Sequence, residues 1–164
     1  MTIYTATFAD GQVAGQALDG HPNLKWITIP PLPASNLQAV DGYAYASVRD
    51  AGAVVPIPHT CDNMRISVSL NIIDPSGPYA IDIVWWTSWI QIGSGGVIRD
   101  GYDLGIYDSG MGQWADGDTV TVGLWHNTAT EEYGYHVYRN GTLFHTRVDN
   151  AAPPWGPVGF RFLE

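Results

Sequence analysis

Hydrophobic and polar residues alternate most regularly over residues 64–73, where apolar side chains occupy every second position between Arg, Ser and Asn. Neighbouring side chains of a β-strand point to opposite faces, so this pattern predicts a strand with one buried and one wet face. Residues 119–126 show the same alternation, with Val120, Val122 and Leu124 on one side. We therefore predict two half-buried antiparallel strands.

Residues 133–147 predict a β-hairpin, because their alternation breaks at Asn140-Gly141. A two-residue type I′ turn needs positive φ at both central positions, which Asn and Gly tolerate best. His136 and His145 each lie four or five residues from this turn. We expect them to face each other across the hairpin.

Further strand patterns recur along the chain without any helical periodicity. The predicted strands lie at residues 2–8, 24–29, 42–48, 79–86, 96–107 and 156–162, and residues 10–23 are expected to form a polar loop. About ten strands without a helix indicate an all-β antiparallel sandwich or barrel. No repeat or linker divides the sequence, so we predict one domain over residues 1–164.

The composition argues against some classes of binding partner. The chain has a formal net charge of −9, one lysine and six arginines among 164 residues. Nucleic-acid binding needs basic patches, so we expect no nucleic-acid partner. No apolar run approaches the length of a membrane span, and the first residues lack the features of a secretory signal. We expect no membrane insertion and no export by a leader, and the lone Cys61 cannot form an intrachain disulfide.

Two separate segments resemble one family. Residues 136–143, with their Asn-Gly turn, and the strand at 156–162 resemble the end of concanavalin A-like (laminin-G-like) jelly rolls. The order Phe8-Ala-Asp-Gly11, Leu18, Trp26 and residues 37–47 resembles the opening of such domains in bacteriophage tail and other virion surface proteins. The resemblance implies a concanavalin A-like antiparallel sandwich.

Some members of that family are glucanases with two glutamates around a central aspartate on one strand. Here Asp82 could match the aspartate, but Ala80 and Val84 stand where glutamates are needed. Retaining hydrolysis requires a pair of carboxyl groups about 5–5.5 Å apart. We therefore predict that the protein is not an enzyme and that Asp82 has a structural role or is exposed.

Four aspartates leave a calcium site open as an alternative. Asp103, Asp108, Asp116 and Asp118 could offer carboxylate oxygens at a loop rim, as in laminin-G-like relatives. Asp-Gly-Asp before a strand is also ordinary turn chemistry. We assign no metal and expect no cofactor.

The aromatic residues supply the candidate binding site. Alternation places Trp125 opposite the Val120/Val122/Leu124 side, and it places Tyr138 and Trp86 on faces opposite their apolar neighbours. Such side chains could lie under other segments, form a protein interface or stack on sugar rings. Trp86, Trp125 and Tyr138 are our candidate aromatic platform.

These observations lead to a hypothesis of function. We expect a non-enzymatic structural protein of a bacteriophage virion, either a capsid decoration subunit or a tail accessory subunit. Its partners would be other virion proteins and further copies of itself. The alternative is a lectin-like module that binds a host-surface glycan, and a glycan hydrolase is disfavoured by the missing glutamates.

Overall fold

The computed structural model describes residues 5–29, 37–46, 51–57, 63–71, 80–85, 88–101, 103–149 and 157–162. The regular elements in these ranges are β-strands, apart from a single 3-10 turn at Ser94–Gly96. In chain order the strands are β1 Gly11–Gln12, β2 Ala17–Leu18, β3 His21–Lys25, β4 Ile27–Thr28, β5 Leu37–Val40, β6 Tyr43–Ala46, β7 Ala51–Val55, β8 Asn63–Ser69, β9 Ala80–Trp85, β10 Ser88–Gly93, β11 Val97–Asp100, β12 Ile106–Asp108, β13 Thr119–Asn127, β14 Glu132–Arg139, β15 Thr142–Asp149 and β16 Val158–Phe162.

The strands form two large and two small antiparallel sheets. The larger of the two main sheets has seven strands in the order β12-β11-β10-β9-β16-β7-β4, and the other has four in the order β15-β14-β13-β8. A three-stranded sheet, β1-β5-β6, and a two-stranded sheet, β2-β3, complete the described architecture. Within the described residues, no helix is long and apolar enough to span a membrane.

The two main sheets pack face to face. Ile83 and Ile90 are paired neighbours in the seven-stranded sheet, and Val122 and Val137 are paired neighbours in the four-stranded sheet. All four side chains are fully buried in one apolar cluster between the sheets. The predicted all-β antiparallel sandwich is therefore confirmed.

A second apolar cluster joins the N-terminal region to the other end of the seven-stranded sheet. The Trp26 ring lies 5.2 Å from the Phe160 ring and 5.6 Å from the Phe8 ring, measured between centroids. Leu37 of β5 is buried in the same cluster. Phe8 and Trp26, which carry part of the family resemblance, thus belong to the packed interior.

The hairpin prediction is confirmed at its turn. Asn140 and Gly141 have φ values of 49° and 80°, as a type I′ turn requires. The side-chain oxygen of Asn140 also accepts a hydrogen bond from the backbone N–H of Thr119, with a donor–acceptor distance of 2.8 Å. The turn between β14 and β15 is thereby attached to the start of β13.

Two predictions about element boundaries are wrong. Residues 96–107 do not form one strand, because the chain reverses between β11 and β12, where Leu104 has a φ of 59° and the Asp103 carboxylate accepts the N–H of Gly105. Residues 10–23 are not simply a loop, since they contain β1, β2 and the start of β3. The predicted strand positions 2–4, 47–48, 72–73, 79, 86, 102 and 156 lie outside the described residues.

Candidate functional site

The outward side of the four-stranded sheet carries a continuous set of aromatic and small polar side chains. Val120, Val122 and Leu124 of β13 point inward and are buried, so the residues between them point outward. We call the outward positions the outer face, and the described residues there are Arg65, Ser67, Ser69, Thr119, Thr121, Gly123, Trp125, Asn127, Glu132, Gly134, His136, Tyr138, Leu143, Thr146 and Val148.

Two glycines let aromatic rings lie across neighbouring strands of the outer face. Gly134 is the direct partner of Trp125, and a Cβ added at Gly134 would come within 2.5 Å of the indole ring. A Cβ at Gly123 would lie 3.5 Å from the Tyr138 ring, which is an ordinary contact distance. An aromatic ring that covers a strand glycine replaces the missing cross-strand contact. Both rings are half-buried as a result.

His136 connects the two aromatic residues into one row. Its ring centroid lies 6.1 Å from that of Trp125 and 6.2 Å from that of Tyr138. The Arg65 guanidinium lies 6.0 Å above the Tyr138 ring centroid. At these separations aromatic pairs and cation–π contacts are attractive. The row therefore crosses β8, β13 and β14.

The polar side chains of the outer face are hydrogen-bonded to one another. The hydroxyls of Ser67 and Thr121 lie 2.9 Å apart, and Nδ1 of His136 lies 3.1 Å from the Thr146 hydroxyl. The indole N–H of Trp125 is buried and has no hydrogen-bond partner among the described residues. The hydrogen bonds of these polar side chains thus run mainly along the sheet to neighbouring side chains.

Charge and exposure complete the description of the outer face. Its one described carboxylate, Glu132, lies at the end of the sheet and accepts a hydrogen bond from Thr130 at 2.7 Å. Leu143 and Val148 on β15 are 49% and 52% exposed. A partly apolar surface with one described acid and one arginine, Arg65, thus lies on a protein with a net charge of −9.

Two of the three predicted platform residues meet here. Trp125 and Tyr138 lie on the outer face, on neighbouring strands, whereas Trp86 lies outside the described residues. His136 was not among the predicted platform residues, although it shares the side of the strand that holds Tyr138. The interior glycines Gly123 and Gly134 were a second usable signal, because glycine within a strand marks a close approach.

The expectation that His136 and His145 face each other is wrong. A β-bulge between Val137 and Tyr138 shifts the register by one residue, so His136 pairs with Thr146 and His145 pairs with Val137. A one-residue shift moves a side chain to the opposite face of the sheet. His136 consequently points outward and His145 points into the sandwich.

His145 belongs to a buried polar cluster between the two main sheets. Its Nε2 lies 3.0 Å from the carboxylate of Asp100, which is fully buried at the end of β11. The Tyr107 ring lies against the His145 ring, with centroids 3.9 Å apart. Burial, followed by a hydrogen bond to Asp100, raises the pKa of Tyr135, so this phenol stays a neutral donor.

A second ion pair flanks that cluster nearer the solvent. Arg147 of β15 lies 2.6 Å from the Asp103 carboxylate, which also accepts the Tyr107 hydroxyl at 2.7 Å. Hydrogen bonds from the Gly105 N–H and Tyr107, and then the Arg147 charge, hold the pKa of Asp103 below its usual value. Asp103 is thereby engaged in holding β12 to β15.

Arg139 anchors the loop that precedes β13. Its guanidinium is buried 4.3 Å from the Trp114 ring centroid and donates to the Asp118 carboxylate at 2.6 Å and 3.1 Å. The other acceptors of its N–H groups are the Ser109 hydroxyl and the carbonyls of Gly112 and Gln113. A buried cation with this many partners stabilises one loop conformation.

Asp118 is fully engaged as well. It accepts hydrogen bonds from the Asn140 amide at 2.7 Å and from the Ala115 N–H at 2.8 Å, besides those from Arg139. Burial raises the pKa of Asp118, but these hydrogen bonds and the Arg139 charge outweigh burial and leave the pKa below its usual value. The carboxylate is the acceptor of a structural network.

The calcium alternative gains no support from this geometry. Asp103 and Asp118 are bound to arginines, and the Asp108 carboxylate accepts the Gly110 N–H at 2.8 Å. In the ranges described, no group of three or more His, Cys, Asp or Glu side chains could hold a metal ion. Asp116 is exposed in the turn before Asp118.

Asp82 lies on the side of the seven-stranded sheet that faces away from the other main sheet. It is fully buried and paired with Arg161 of β16, whose Nε donates at 2.9 Å, while Gln91 of β10 donates at 3.1 Å. Burial raises the pKa of Asp82, and the Arg161 and Gln91 contacts only partly oppose it. The predicted structural role of Asp82 agrees with this buried pair.

Comparison with known proteins adds a likeness to solved structures. No protein-family model matches the sequence, and no curated protein matches it. The crystal structure of a human SPRY domain is similar to the chain with a TM-score of 0.40 and 10% sequence identity, over 78% of this chain and 88% of that one. The class that the described strands define is an all-β antiparallel sandwich.

Proposed function

We propose that the protein is a non-enzymatic structural subunit of a bacteriophage virion and that it works through contacts made by the outer face. The virion setting rests on the sequence resemblance at the Phe8–Trp26 opening and at the Asn140-Gly141 hairpin. The observation that carries the proposal is the row of Trp125, His136 and Tyr138 on a surface whose one described carboxylate, Glu132, lies at its end. The centres of protein interfaces are enriched in aromatic residues and depleted of acids.

The carboxylates of the interior support a role without catalysis. Asp82, Asp100 and Asp118 are buried, and each contacts a basic side chain, namely Arg161, His145 and Arg139 respectively. General acid–base or nucleophilic work needs a carboxylate that can reach a substrate. These three instead connect strands and loops of the sandwich.

Mass spectrometry of density-purified phage particles tests the proposal. We expect the chain in a fixed copy number per particle, and we expect the recombinant chain to bind particles that lack it. A Trp125→Ala variant should bind such particles more weakly than a Trp89→Ala variant. Trp89 is the matched control because it lies on β10 of the seven-stranded sheet and its ring covers Gly101, the residue after β11. Absence from purified particles would refute the virion role.

A second candidate function is glycan binding by the same face. It is favoured by the half-exposed Trp125 ring lying over Gly134, since a broad aromatic ring suits the C–H side of a sugar. A glycan array probed with wild type, Trp125→Ala and Trp89→Ala tests it. Binding that only Trp125→Ala abolishes supports this function, and no binding by the wild type rejects it.

A further inference from the structure

The polar groups of the outer face are arranged for burial against another surface. Ser67 with Thr121, and His136 with Thr146, already form hydrogen bonds along the sheet at 2.9 Å and 3.1 Å. Burying a polar group is costly mainly when it loses its hydrogen-bond partner. Covering this face would leave these pairs intact. A sugar site, in contrast, needs donors and acceptors directed away from the protein.

The charge distribution favours a particular partner. Two copies of a chain with net charge −9 repel each other, and any contact between acidic surfaces adds to that repulsion. The outer face has one described carboxylate, Glu132 at the end of β14, and it also presents Arg65 and His136. It is therefore a surface on which two copies can meet with few opposing acids.

The size of the outer face comes close to the requirement of a weak to moderate dimer. β8 is 7 residues long and β13, β14 and β15 have 9, 8 and 8 residues. At about 3.3 Å per residue and about 4.8 Å between strands, the projected area is about 510 Å². Side chains make the accessible area larger than this projection. Specific interfaces bury at least about 600 Å² on each partner.

The aromatic rings also protrude little from the outer face. Trp125 lies over Gly134 and Tyr138 lies beside Gly123, so each ring occupies space that the missing glycine side chain leaves free. Two sheets pack about 10 Å apart only when their facing side chains interlock without a large protrusion. Leu143 and Val148 add exposed apolar area along β15.

From these four observations we propose that the outer face binds a second copy of this chain, forming a symmetric dimer through sheet-to-sheet packing. The same patch serves both copies, as two-fold symmetry requires. This inference deepens the proposed function, because it names the first partner of the face through which a virion subunit would act.

Sedimentation velocity of the purified full chain tests the dimer. We expect a monomer–dimer equilibrium over about 1 to 300 µM, the range that fits an interface of this size. Association should strengthen as sodium chloride rises, because salt screens the repulsion between two acidic chains. A wild type that stays monomeric throughout this range would overturn the inference.

A matched pair of double variants locates the contact. Leu143→Glu with Val148→Glu places two charges on the outer face, and Ile106→Glu with Ile27→Glu places two on β12 and β4 of the other sheet. The four residues are all exposed, with fractions of 49%, 52%, 70% and 49%. We expect the first variant to associate at least about tenfold more weakly and the second to associate like the wild type. Equal weakening in both variants would contradict the assignment of this face.

Further measurements distinguish loss of the dimer from loss of the fold, and the dimer proposal from the virion proposal. Circular dichroism of both variants checks the fold, and Thr146→Lys supplies an alternative outer-face charge with the same expected loss of the dimer. A monomeric wild type that still occurs in purified particles would overturn the dimer and leave the proposed virion function standing. A wild type that dimerises but is absent from purified particles would refute the virion function and leave the dimer standing.

Discussion

The two sides of the β14–β15 hairpin carry similar residues in opposite arrangements. On the inner side, Arg139, His145 and Arg147 each contact a carboxylate from outside the hairpin. On the outer side, His136 and Tyr138 contact aromatic rings, an arginine and a hydroxyl, and no described carboxylate lies among them. The inner side therefore joins parts of one molecule, whereas the outer side is suited to contact another.

The largest expected effect concerns the inner side. Arg139→Ala would leave Asp118 buried without its cation, and breaking such a pair destabilises a protein by about 3 kcal/mol. Urea unfolding followed by tryptophan fluorescence measures this loss. Arg99→Ala is the matched control because Arg99 is exposed, and we expect it to change stability by less than about 0.5 kcal/mol. Equal effects would contradict the anchoring role of Arg139.

The next effect compares the two glycines of the outer face. A methyl group at Gly134 would meet the Trp125 ring at 2.5 Å and lie closer still to the backbone carbonyl of Arg147. Gly134→Ala should therefore cost about 2 kcal/mol through overpacking. Gly123→Ala meets the Tyr138 ring at an ordinary 3.5 Å and should be neutral within about 0.5 kcal/mol. Thermal unfolding of both variants decides, and a harmless Gly134→Ala would contradict the described packing of Trp125.

His145 and His136 allow the inner and outer sides of the hairpin to be compared with the same residue type. His145→Ala removes a partner from the buried Asp100 carboxylate and should cost about 2 kcal/mol. His136→Ala affects a half-buried side chain on the outer face and should cost less than about 1 kcal/mol in the isolated chain. Chemical denaturation at low protein concentration measures both. The reverse order would contradict the register shift at Val137/Tyr138.

The smallest effect is a difference in pH dependence between two buried ion pairs. The pKa of Asp118 lies below its usual 3.8, so the stability from its ionisation is complete above about pH 3.8 and lost as pH falls through the lower folded value. The pKa of Asp82 lies above 3.8, so the folded state gains stability from Asp82 as pH falls from above the raised value toward 3.8.

Denaturation at several pH values between about 3 and 6 measures this difference against Asp118→Asn and Asp82→Asn. As pH falls, the stability of the wild type relative to Asp118→Asn should decrease, and its stability relative to Asp82→Asn should increase. The same sign for both pairs would show that the two carboxylates do not differ as described.

Some of this structure follows directly from the sequence. Asn140-Gly141 specified the turn, and alternation in residues 119–126 separated buried Val120 and Val122 from outward Trp125. These features are local, since they depend on the preferences of a few neighbouring residues. The candidate residues Trp125 and Tyr138 were found for that reason.

Other features depend on distant contacts and could not be predicted. The bulge beside Val137 has no glycine or proline to mark it, and it allows His145 to reach Asp100, 45 residues away in the sequence. The pairing of Arg161 with Asp82 likewise joins strands that are neighbours only in the folded sheet. Sequence alternation gives the face of a side chain but not its partner.

Hydroxyl-radical footprinting of Trp125 and Trp89 tests most directly whether the outer face is the contact surface. Both indole rings are half-buried over a glycine, Trp125 on the four-stranded sheet and Trp89 on the seven-stranded sheet. As the purified chain is concentrated from about 1 to 300 µM, oxidation of Trp125 should fall while that of Trp89 stays constant. Constant oxidation of Trp125, or an equal fall at both tryptophans, would contradict the account.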